Sequence, residues 1–344
     1  MEYRKLGSSG LKVSEICLGT MTFGYSTEEA EARRIVDLAC EAGVNFFDTA
    51  NNYGSGQSEA LLGRALKGRR RGAVVATKFF NPMGPGPNES GMSRVHIMNA
   101  VEDSLRRLEM DHVDIYYIHH VDIQTPLEEM LRALDDLVRQ GKVRYIGCSN
   151  YPAWRLCDAL WISQANGWSR FVCYQPQYSL VVRDIEQELV PLCLHKGLGI
   201  VTWGPMAGGF LTGKYKPGQR QLAGTRSAEG WVWQASNFSP NADQTLGVLL
   251  EAAQQLGRPA AQIALRWVLE RPGVSAAIAG ARSAEQLRAS LGAASFRLPD
   301  DLRQRLDEVS RLADRYPESF EKNMHERRNK AVKIPSLPQS GVAQ

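Results

Sequence analysis

Short apolar segments, typical of buried β-strands, alternate along this chain with longer amphipathic segments, typical of α-helices. The pattern predicts eight strands, from VSEICLGT at residues 13–20 to VSAAIAGA at residues 274–281. A helix that lies between two strands acts as a crossover, so the strands should pair in parallel. Parallel strands with such connections form either a doubly wound sheet or a closed barrel.

The segment after the first strand separates these two folds. A doubly wound dinucleotide-binding sheet places a GxGxxG fingerprint there, and GTMTFGYS lacks it. Eight units without the fingerprint favour a (β/α)8 TIM barrel. We expect one barrel domain over residues 1–314. The tail, residues 315–344, should cap the barrel mouth, pair with another subunit or be disordered.

Composition excludes several classes of function. With 43% hydrophobic and 23% charged residues and a net charge of +4, the chain fits a globular protein, and its small basic clusters do not predict nucleic-acid binding. No apolar run approaches the ~20 residues of a membrane span, and residues 1–24 do not resemble a signal peptide. The six cysteines lack metal-binding spacing, so we expect no metal site and a reducing, cytoplasmic location.

In a TIM barrel the carboxyl ends of the strands meet at one mouth, where the active site lies. Polar or special residues stand at nearly every predicted strand end. They are Gly19, Thr20, Asp48, Lys78, His119 or His120, Ser149, Asn150, Gln175, Trp203 and Gly280. A single such residue is an ordinary strand boundary, but a ring of them predicts a site.

Four residues of this ring and its first loops have a clear chemical use. A tyrosine such as Tyr53 has a free pKa of ~10 and is a poor acid at neutral pH. A lysine ammonium nearby, from Lys78, favours the tyrosinate, and Asp48 would pair with the lysine. An imidazole, from His119, can donate to a carbonyl oxygen and orient it. This set suits protonation of an oxygen that gains negative charge, as in carbonyl reduction by hydride transfer.

Nine stretches, in family order over roughly residues 3–291, resemble the aldo-keto reductase superfamily. The likeness is strongest to bacterial reductases related to potassium-channel β subunits. The stretches are RKLGSSGLKVSEICLGTMTFG, FFDTANNYGSGQSEALLG, VVATK, SLRRLEMDHVDIYYIHHVD, GKVRYIGCSNY, CYQPQYSL, WGPMAGGFLTGKY, AQIALRWVL and AGARSAEQL.

The resemblance implies a role for each catalytic candidate. Tyr53 is expected to be the general acid, tuned by Lys78 and Asp48, and the pattern VDxYxxH selects His119 over His120 as the residue that orients the carbonyl. The expected substrate contacts are Met21, Tyr53, Phe79, His119 and His120.

The resemblance also implies NADPH as the cofactor, in preference to NADH. Ser149, Asn150 and Gln175 should bond the nicotinamide carboxamide, and Trp203, which could otherwise be a core residue, should stack on the ring. Arg282 should meet the 2′-phosphate, with Gln286 beside it. Ala289 and Ser290 replace the usual Glu and Asn, which weakens the expected adenine contacts, although Ser290 stays a candidate. The remaining candidates are Gly19, Thr20, Met21, Asp48 and Gly280.

The segment GPMAGGFLTGKY contains the GxxxxGK spacing of a P-loop, from Gly208 to Lys214. Tyr215 stands where a P-loop needs Ser or Thr, and Pro217 opposes a following helix. A nucleotide hydrolase is therefore a distant alternative. The preferred interpretation is a cofactor pyrophosphate cradle, made by Lys214 and the backbone of Gly204, Pro205, Met206, Ala207 and Gly208.

These observations predict an NADPH-dependent reductase of aldehydes or ketones, acting on a small-molecule carbonyl and possible as a homo-oligomer. The alternative is a cofactor-binding regulatory or assembly subunit with little turnover, against which the presence of His119 argues. Two long loops, residues 80–91 and 217–240, should either shape substrate access or close over the cofactor. In the second, Trp231, Trp233 and Phe238 are either lid anchors or a hydrophobic cluster.

Overall fold

A computed structural model of the chain describes residues 1–220, 222, 238–317, 319–321, 324 and 327. Contacts divide the chain into two units, Met1–Ser310 and Arg311–Gln344, and every strand and helix named below belongs to the first. Most of the predicted tail and the centre of the loop at residues 217–240, with Trp231 and Trp233, lie outside the described residues. The predictions for them therefore stay predictions.

The chain begins with an antiparallel hairpin of two short strands, β1 (Tyr3–Lys5) and β2 (Lys12–Ser14). Leu6 and Val13 of this hairpin are fully buried in the same hydrophobic cluster as residues that line the barrel interior. The hairpin therefore closes the end of the barrel at which the strands begin. The predicted strand at residues 13–20 thus combines two elements. Only its second half enters the barrel.

Eight parallel strands then form a closed barrel in chain order, which confirms the predicted (β/α)8 fold. The last strand pairs with the first, Gly280 beside Gly19. The strands are β3 (Ile16–Gly19), β4 (Phe46–Asp48), β5 (Val74–Phe79), β6 (Val113–Ile118), β7 (Val143–Ser149), β8 (Phe171–Gln175), β9 (Gly199–Thr202) and β10 (Val274–Gly280).

Helices surround the barrel. The helix at Arg94–Leu108 is capped by Ser93, whose side chain accepts a hydrogen bond from the backbone N–H of His96. The helices are α1 (Glu29–Glu41), α2 (Gln57–Ala65), α3 (Arg94–Leu108), α4 (Leu127–Arg139), α5 (Ala153–Asn166), α6 (Leu189–Lys196), α7 (Ala242–Leu256), α8 (Ala260–Leu269), α9 (Ala284–Leu291) and α10 (Asp300–Val309). Within the described ranges, every helix is too short or too polar to serve as a membrane span.

The core has an inner layer within the barrel and an outer layer between strands and helices. Neighbouring residues of one strand face opposite sides, so Tyr117 lies inside and Tyr116 outside. The Tyr117 hydroxyl accepts a hydrogen bond from Cys173 Sγ across 3.1 Å. A Cβ atom on Gly147 would lie 2.5 Å from the Tyr117 ring, so this strand position requires a glycine.

Candidate active site

Lys78 occupies the centre of the barrel mouth. Its side chain lies near the end of β5 and is 1% exposed. The ammonium donates to three oxygens: Asp48 Oδ1 at 2.5 Å, the backbone oxygen of Thr49 at 2.8 Å and the Tyr53 hydroxyl at 3.3 Å. Burial by itself lowers the pKa of Lys78, but the nearby Asp48 carboxylate reverses this effect and leaves the pKa above its ordinary value. The lysine is therefore charged at neutral pH.

Asp48 ends strand β4 and is held at both carboxylate oxygens. Oδ1 meets Lys78, and Oδ2 accepts a hydrogen bond from Gln175 Nε2 across 2.9 Å. Gln175 is itself 2% exposed. Gln175, which is expected to bond the cofactor, thus also fixes Asp48, and Asp48 positions Lys78.

A left-handed turn places Tyr53 over the lysine. Gly54, Ser55 and Gly56 follow it with φ of 55°, 52° and 93°, a region that residues with side chains rarely enter. A Cβ atom on Gly54 would lie 3.0 Å from the backbone oxygen of Phe23, so a glycine is required there. The turn leaves Lys78 Nζ 4.9 Å from the centre of the Tyr53 ring.

The acidity of Tyr53 departs from the expectation. Burial raises the pKa of its hydroxyl, the Lys78 ammonium lowers it in part, and the net result lies above the ordinary tyrosine value. The sequence indicates the neighbouring lysine but does not show that the phenol is buried, and burial disfavours the charged phenolate. The phenol is consequently protonated at neutral pH, and Lys78 limits how unfavourable its deprotonation becomes.

His119 directly follows β6 and faces Tyr53. The two rings meet edge to face with centroids 5.8 Å apart. His120 stacks on His119 with centroids 4.5 Å apart and an interplanar angle of 13°. Burial first, then the Lys78 ammonium and His120, hold the pKa of His119 well below its ordinary value. The imidazole is therefore neutral at physiological pH.

His120 lies further from the chemistry and is partly exposed. Burial and Lys78 lower the pKa of its ring as well. The rings of His120 and Phe80 meet edge to face, with centroids 5.4 Å apart. Both side chains are partly exposed and so are accessible to a bound molecule.

The expectation that Phe79 contacts substrate is wrong. Phe79 is fully buried and stacks on Tyr116, 4.6 Å between centroids, in the outer layer that also contains His96 of α3. The reason is strand alternation: Lys78 points into the mouth, so its neighbour Phe79 must point away from it. Phe80, one residue further, is partly exposed and contacts the ring of His120.

The residues expected to hold nicotinamide converge beside His119. The Trp203 indole is partly exposed, and its N–H donates to Asn150 Oδ1 across 3.1 Å. Asn150 Nδ2 donates in turn to the backbone oxygen of His119 at 3.1 Å. Ser149 is buried and donates to the backbone oxygen of Gln175 at 2.7 Å. Trp203 is thus only partly buried, and its stacking on a nicotinamide ring stays a prediction.

The segment after Trp203 winds tightly. Five of its residues have positive φ, between 47° and 104°: Gly204, Ala207, Gly208, Gly209 and Gly213. The N–H groups of Ala207, Gly209 and Leu211 donate within the segment, to the backbone oxygens of Gly204 and Met206. In other proteins, successive turns of this kind form concavities whose remaining N–H groups bind anions. Lys214, at the end of this segment, is exposed, and Tyr215 is buried. Among the described residues, no α-helix begins between Lys214 and the start of α7 at Ala242. The arrangement differs from a P-loop, which opens directly into a helix.

The adenosine candidates lie at the start of α9. The Arg282 backbone N–H donates to Gln286 Oε1 across 2.9 Å, and Ser283 caps the helix. Ser290 is buried, and its hydroxyl donates to the Gln286 backbone oxygen at 3.1 Å, because a helical serine readily bonds the carbonyl four residues earlier. Its contact with the cofactor stays a prediction. Ala289 is exposed and offers no polar atom.

Glycines and small residues shape the rest of the mouth. A Cβ atom on Gly19 would lie 2.5 Å from the Ile278 side chain, which explains the glycine. Thr20 is buried and donates to the Asp48 backbone oxygen at 3.1 Å, so its hydroxyl supports the loop. Met21 is partly exposed and Gly280 is exposed, and both are accessible to a bound molecule.

Two residues of the site were missed from the sequence. The first is Asn81, whose Nδ2 lies 3.2 Å from His119 Nδ1. The second is Gln177, whose buried Nε2 has no hydrogen-bond partner within the described part of the chain and which lies next to Gly204. Each of these residues lies two positions after the end of a barrel strand, Phe79 of β5 or Gln175 of β8. This position is the one sequence signal that indicates them as site residues. Across the described ranges, no group of His, Cys, Asp and Glu is arranged to hold a metal ion.

Comparison with known proteins gives consistent results. Residues 15–311 match the family model described as "Aldo/keto reductase family". The chain is 40% identical over 320 residues to the "Uncharacterized oxidoreductase YrpG" of Bacillus subtilis, an alignment that covers 90% of this chain and 96% of that protein.

Two plant proteins named "Probable voltage-gated potassium channel subunit beta" are also similar. The Arabidopsis thaliana protein is 34% identical over 339 residues, covering 93% of this chain and 100% of the relative. The Oryza sativa protein is 37% identical over 295 residues, covering 83% and 89%.

Proposed function

The chain belongs to the aldo/keto reductase family, and from this premise we propose that it is an NADPH-dependent oxidoreductase that reduces aldehyde or ketone carbonyls to alcohols, with Tyr53 as the proton donor. One observation carries the proposal. A protonated tyrosine, a charged lysine and a neutral histidine meet at the barrel mouth around Asp48.

Each of these residues has a task when a carbonyl is reduced. The neutral His119 can donate a hydrogen bond to the carbonyl oxygen and so orient the substrate. Tyr53 gives its proton to that oxygen as negative charge develops on it. The Lys78 ammonium, 3.3 Å from the Tyr53 hydroxyl, stabilises the phenolate that remains, and Asp48 holds the ammonium in place. NADPH, when bound, supplies the hydride.

The donor groups around the mouth fit this cofactor. Trp203 offers an aromatic ring, and Lys214 adds a positive charge. Between them, the segment with positive φ at several residues from Gly204 to Gly213 offers backbone N–H groups. The unpartnered amide of Gln177 beside Gly204 is a further donor. Arg282 at the start of α9 supports a preference for NADPH, because a guanidinium matches the geometry of a phosphate.

A panel of carbonyl compounds tests the proposal. Aldehydes, ketones, quinones and sugars would be supplied with NADPH, and the loss of reduced-nicotinamide absorbance followed. Turnover of at least one class, abolished in Tyr53→Phe, is the expected result. If the whole panel is inactive while NADPH still binds, the proposed activity is wrong.

The second candidate is a cofactor-binding subunit that regulates or assembles with another protein. The two relatives named as potassium-channel β subunits favour it. It predicts tight NADPH binding with little turnover on every carbonyl. A homo-oligomer and a cytoplasmic location stay predictions, and light scattering of the purified protein would test the first.

A further inference from the structure

The position of one proton on His119 decides what this residue can do. A neutral imidazole carries a single N–H, on either Nδ1 or Nε2, and the other nitrogen only accepts. If Nε2 is protonated, it can donate to a carbonyl oxygen. If Nδ1 is protonated, Nε2 presents a lone pair that repels that oxygen. The proposed role of His119 therefore requires the Nε2–H tautomer.

Asn81 provides the group that makes this choice. Its Nδ2 lies 3.2 Å from His119 Nδ1, and an amide nitrogen can only donate. The other neighbours of the ring meet it through its faces or edges: His120 stacks on it and Tyr53 contacts it edge to face. Among the described residues, Asn81 is the hydrogen-bond partner of a ring nitrogen of His119.

We propose that Asn81 is a positioning residue that holds His119 in the Nε2–H tautomer by donating a hydrogen bond to Nδ1. The proposal deepens the proposed reductase function and rests on it for its catalytic consequence. Its structural part, the tautomer itself, can be tested without turnover.

The backbone before Asn81 explains how its side chain reaches the histidine. β5 ends at Phe79, and Phe80 then takes φ of 143°, a value that is rare for a residue with a side chain. The Phe80 backbone oxygen accepts a hydrogen bond from the N–H of Gly91 across 2.8 Å, which closes the loop at residues 80–91. Strained backbone of this kind is typical of functional sites.

The sharpest variant is Asn81→Asp, which keeps the shape but replaces the donor by an acceptor. A carboxylate next to Nδ1 raises the pKa of His119, against the opposing effects of burial, Lys78 and His120. Below the raised pKa both ring nitrogens carry protons and Nε2 still donates. Above it, the remaining proton stays on Nδ1, facing the carboxylate, and Nε2 stops donating.

The variant should therefore gain a descending limb in its pH profile. For carbonyl reduction, kcat/KM should fall by roughly ten- to a hundredfold as pH rises through the new pKa, which is the effect of losing one hydrogen bond to a charged oxygen. The wild type should lack this limb. Asn81→Ala, which leaves Nδ1 without a donor, should lower kcat/KM by about fivefold at every pH.

Asn88→Asp is the matched control. It makes the same substitution in the same loop at an exposed position, and no contact joins Asn88 to His119. It should keep the wild-type pH profile. If the control and Asn81→Asp show the same profile, charge in the loop is the cause and the proposal is overturned.

Nuclear magnetic resonance of protein labelled with [15N]histidine reads the tautomer directly. The chain has six histidines, and the spectrum of His119→Ala identifies the signals of interest. We expect an unprotonated Nδ1 and a protonated Nε2 in the wild type, with the opposite pattern in Asn81→Asp at high pH. A protonated Nδ1 in the wild type overturns the proposal. A wild type inactive on every carbonyl would overturn the proposed function alone, because the tautomer is measured independently.

Discussion

Replacing Lys78 by methionine would leave the carboxylate of Asp48 buried without its partner. Lys78 is 1% exposed and Asp48 is 2% exposed, so water cannot take the place of the ammonium without a rearrangement. Gln175 Nε2 would still donate to Asp48 Oδ2, but Oδ1 and the Thr49 backbone oxygen would both lose a donor. The substitution preserves the volume of the side chain and removes only its charge and hydrogen bonds.

The expected cost is about 3–5 kcal/mol of unfolding free energy, the usual loss when one partner of a buried ion pair is removed. Lys67→Met is the matched control. Lys67 is exposed, and its nearest carboxylate, that of Glu109, lies 3.9 Å away, so this change should cost less than about 0.5 kcal/mol.

Urea unfolding of the cofactor-free protein measures both values, provided that the slope of unfolding free energy against urea stays equal among the variants. The double variant with Asp48→Asn should lose less than the sum of the single variants, because the asparagine removes the unpaired buried charge. A deficit under about 1 kcal/mol, or additive losses in the double variant, would refute the reasoning.

Four further predictions concern catalysis and the cofactor. Tyr53→Phe should lower the reduction rate by ~10²–10⁴-fold with little change in NADPH binding; near-normal turnover would exclude Tyr53 as the proton donor. Because burial raises the pKa of Tyr53 and lowers that of His119, wild-type kcat/KM should stay level between about pH 6 and 9. His119→Ala should lower kcat strongly, whereas His120→Ala should mainly change substrate preference, and steady-state kinetics showing the reverse would contradict the geometry. Arg282→Ala should weaken NADPH binding by roughly ten- to a hundredfold and leave NADH binding nearly unchanged, as measured by quenching of tryptophan fluorescence; equal losses would show that Arg282 does not recognise the phosphate.

The barrel and the residues of its mouth could be predicted from the sequence. Strand and helix periodicity is local, and parallel strands bring their carboxyl ends to one side whatever their exact boundaries. The pattern alone therefore predicts that Asp48, Lys78 and His119 lie together. Boundaries within this pattern are less predictable: the predicted strand at residues 13–20 spans β2 and β3, and α10, with the polar sequence DDLRQRLDEV, is not among the predicted elements.

Only the tertiary structure decided which atoms meet. Phe79 points away from the mouth because the register of β5 turns Lys78 inward. Asn81 reaches His119 through the unusual backbone of Phe80, which no local pattern predicts. The direction of the Tyr53 pKa depends on the balance between burial and the nearby ammonium. Distances and solvent exclusion are properties of packed neighbours that are remote in sequence, and a sequence pattern records the residue types without recording that packing.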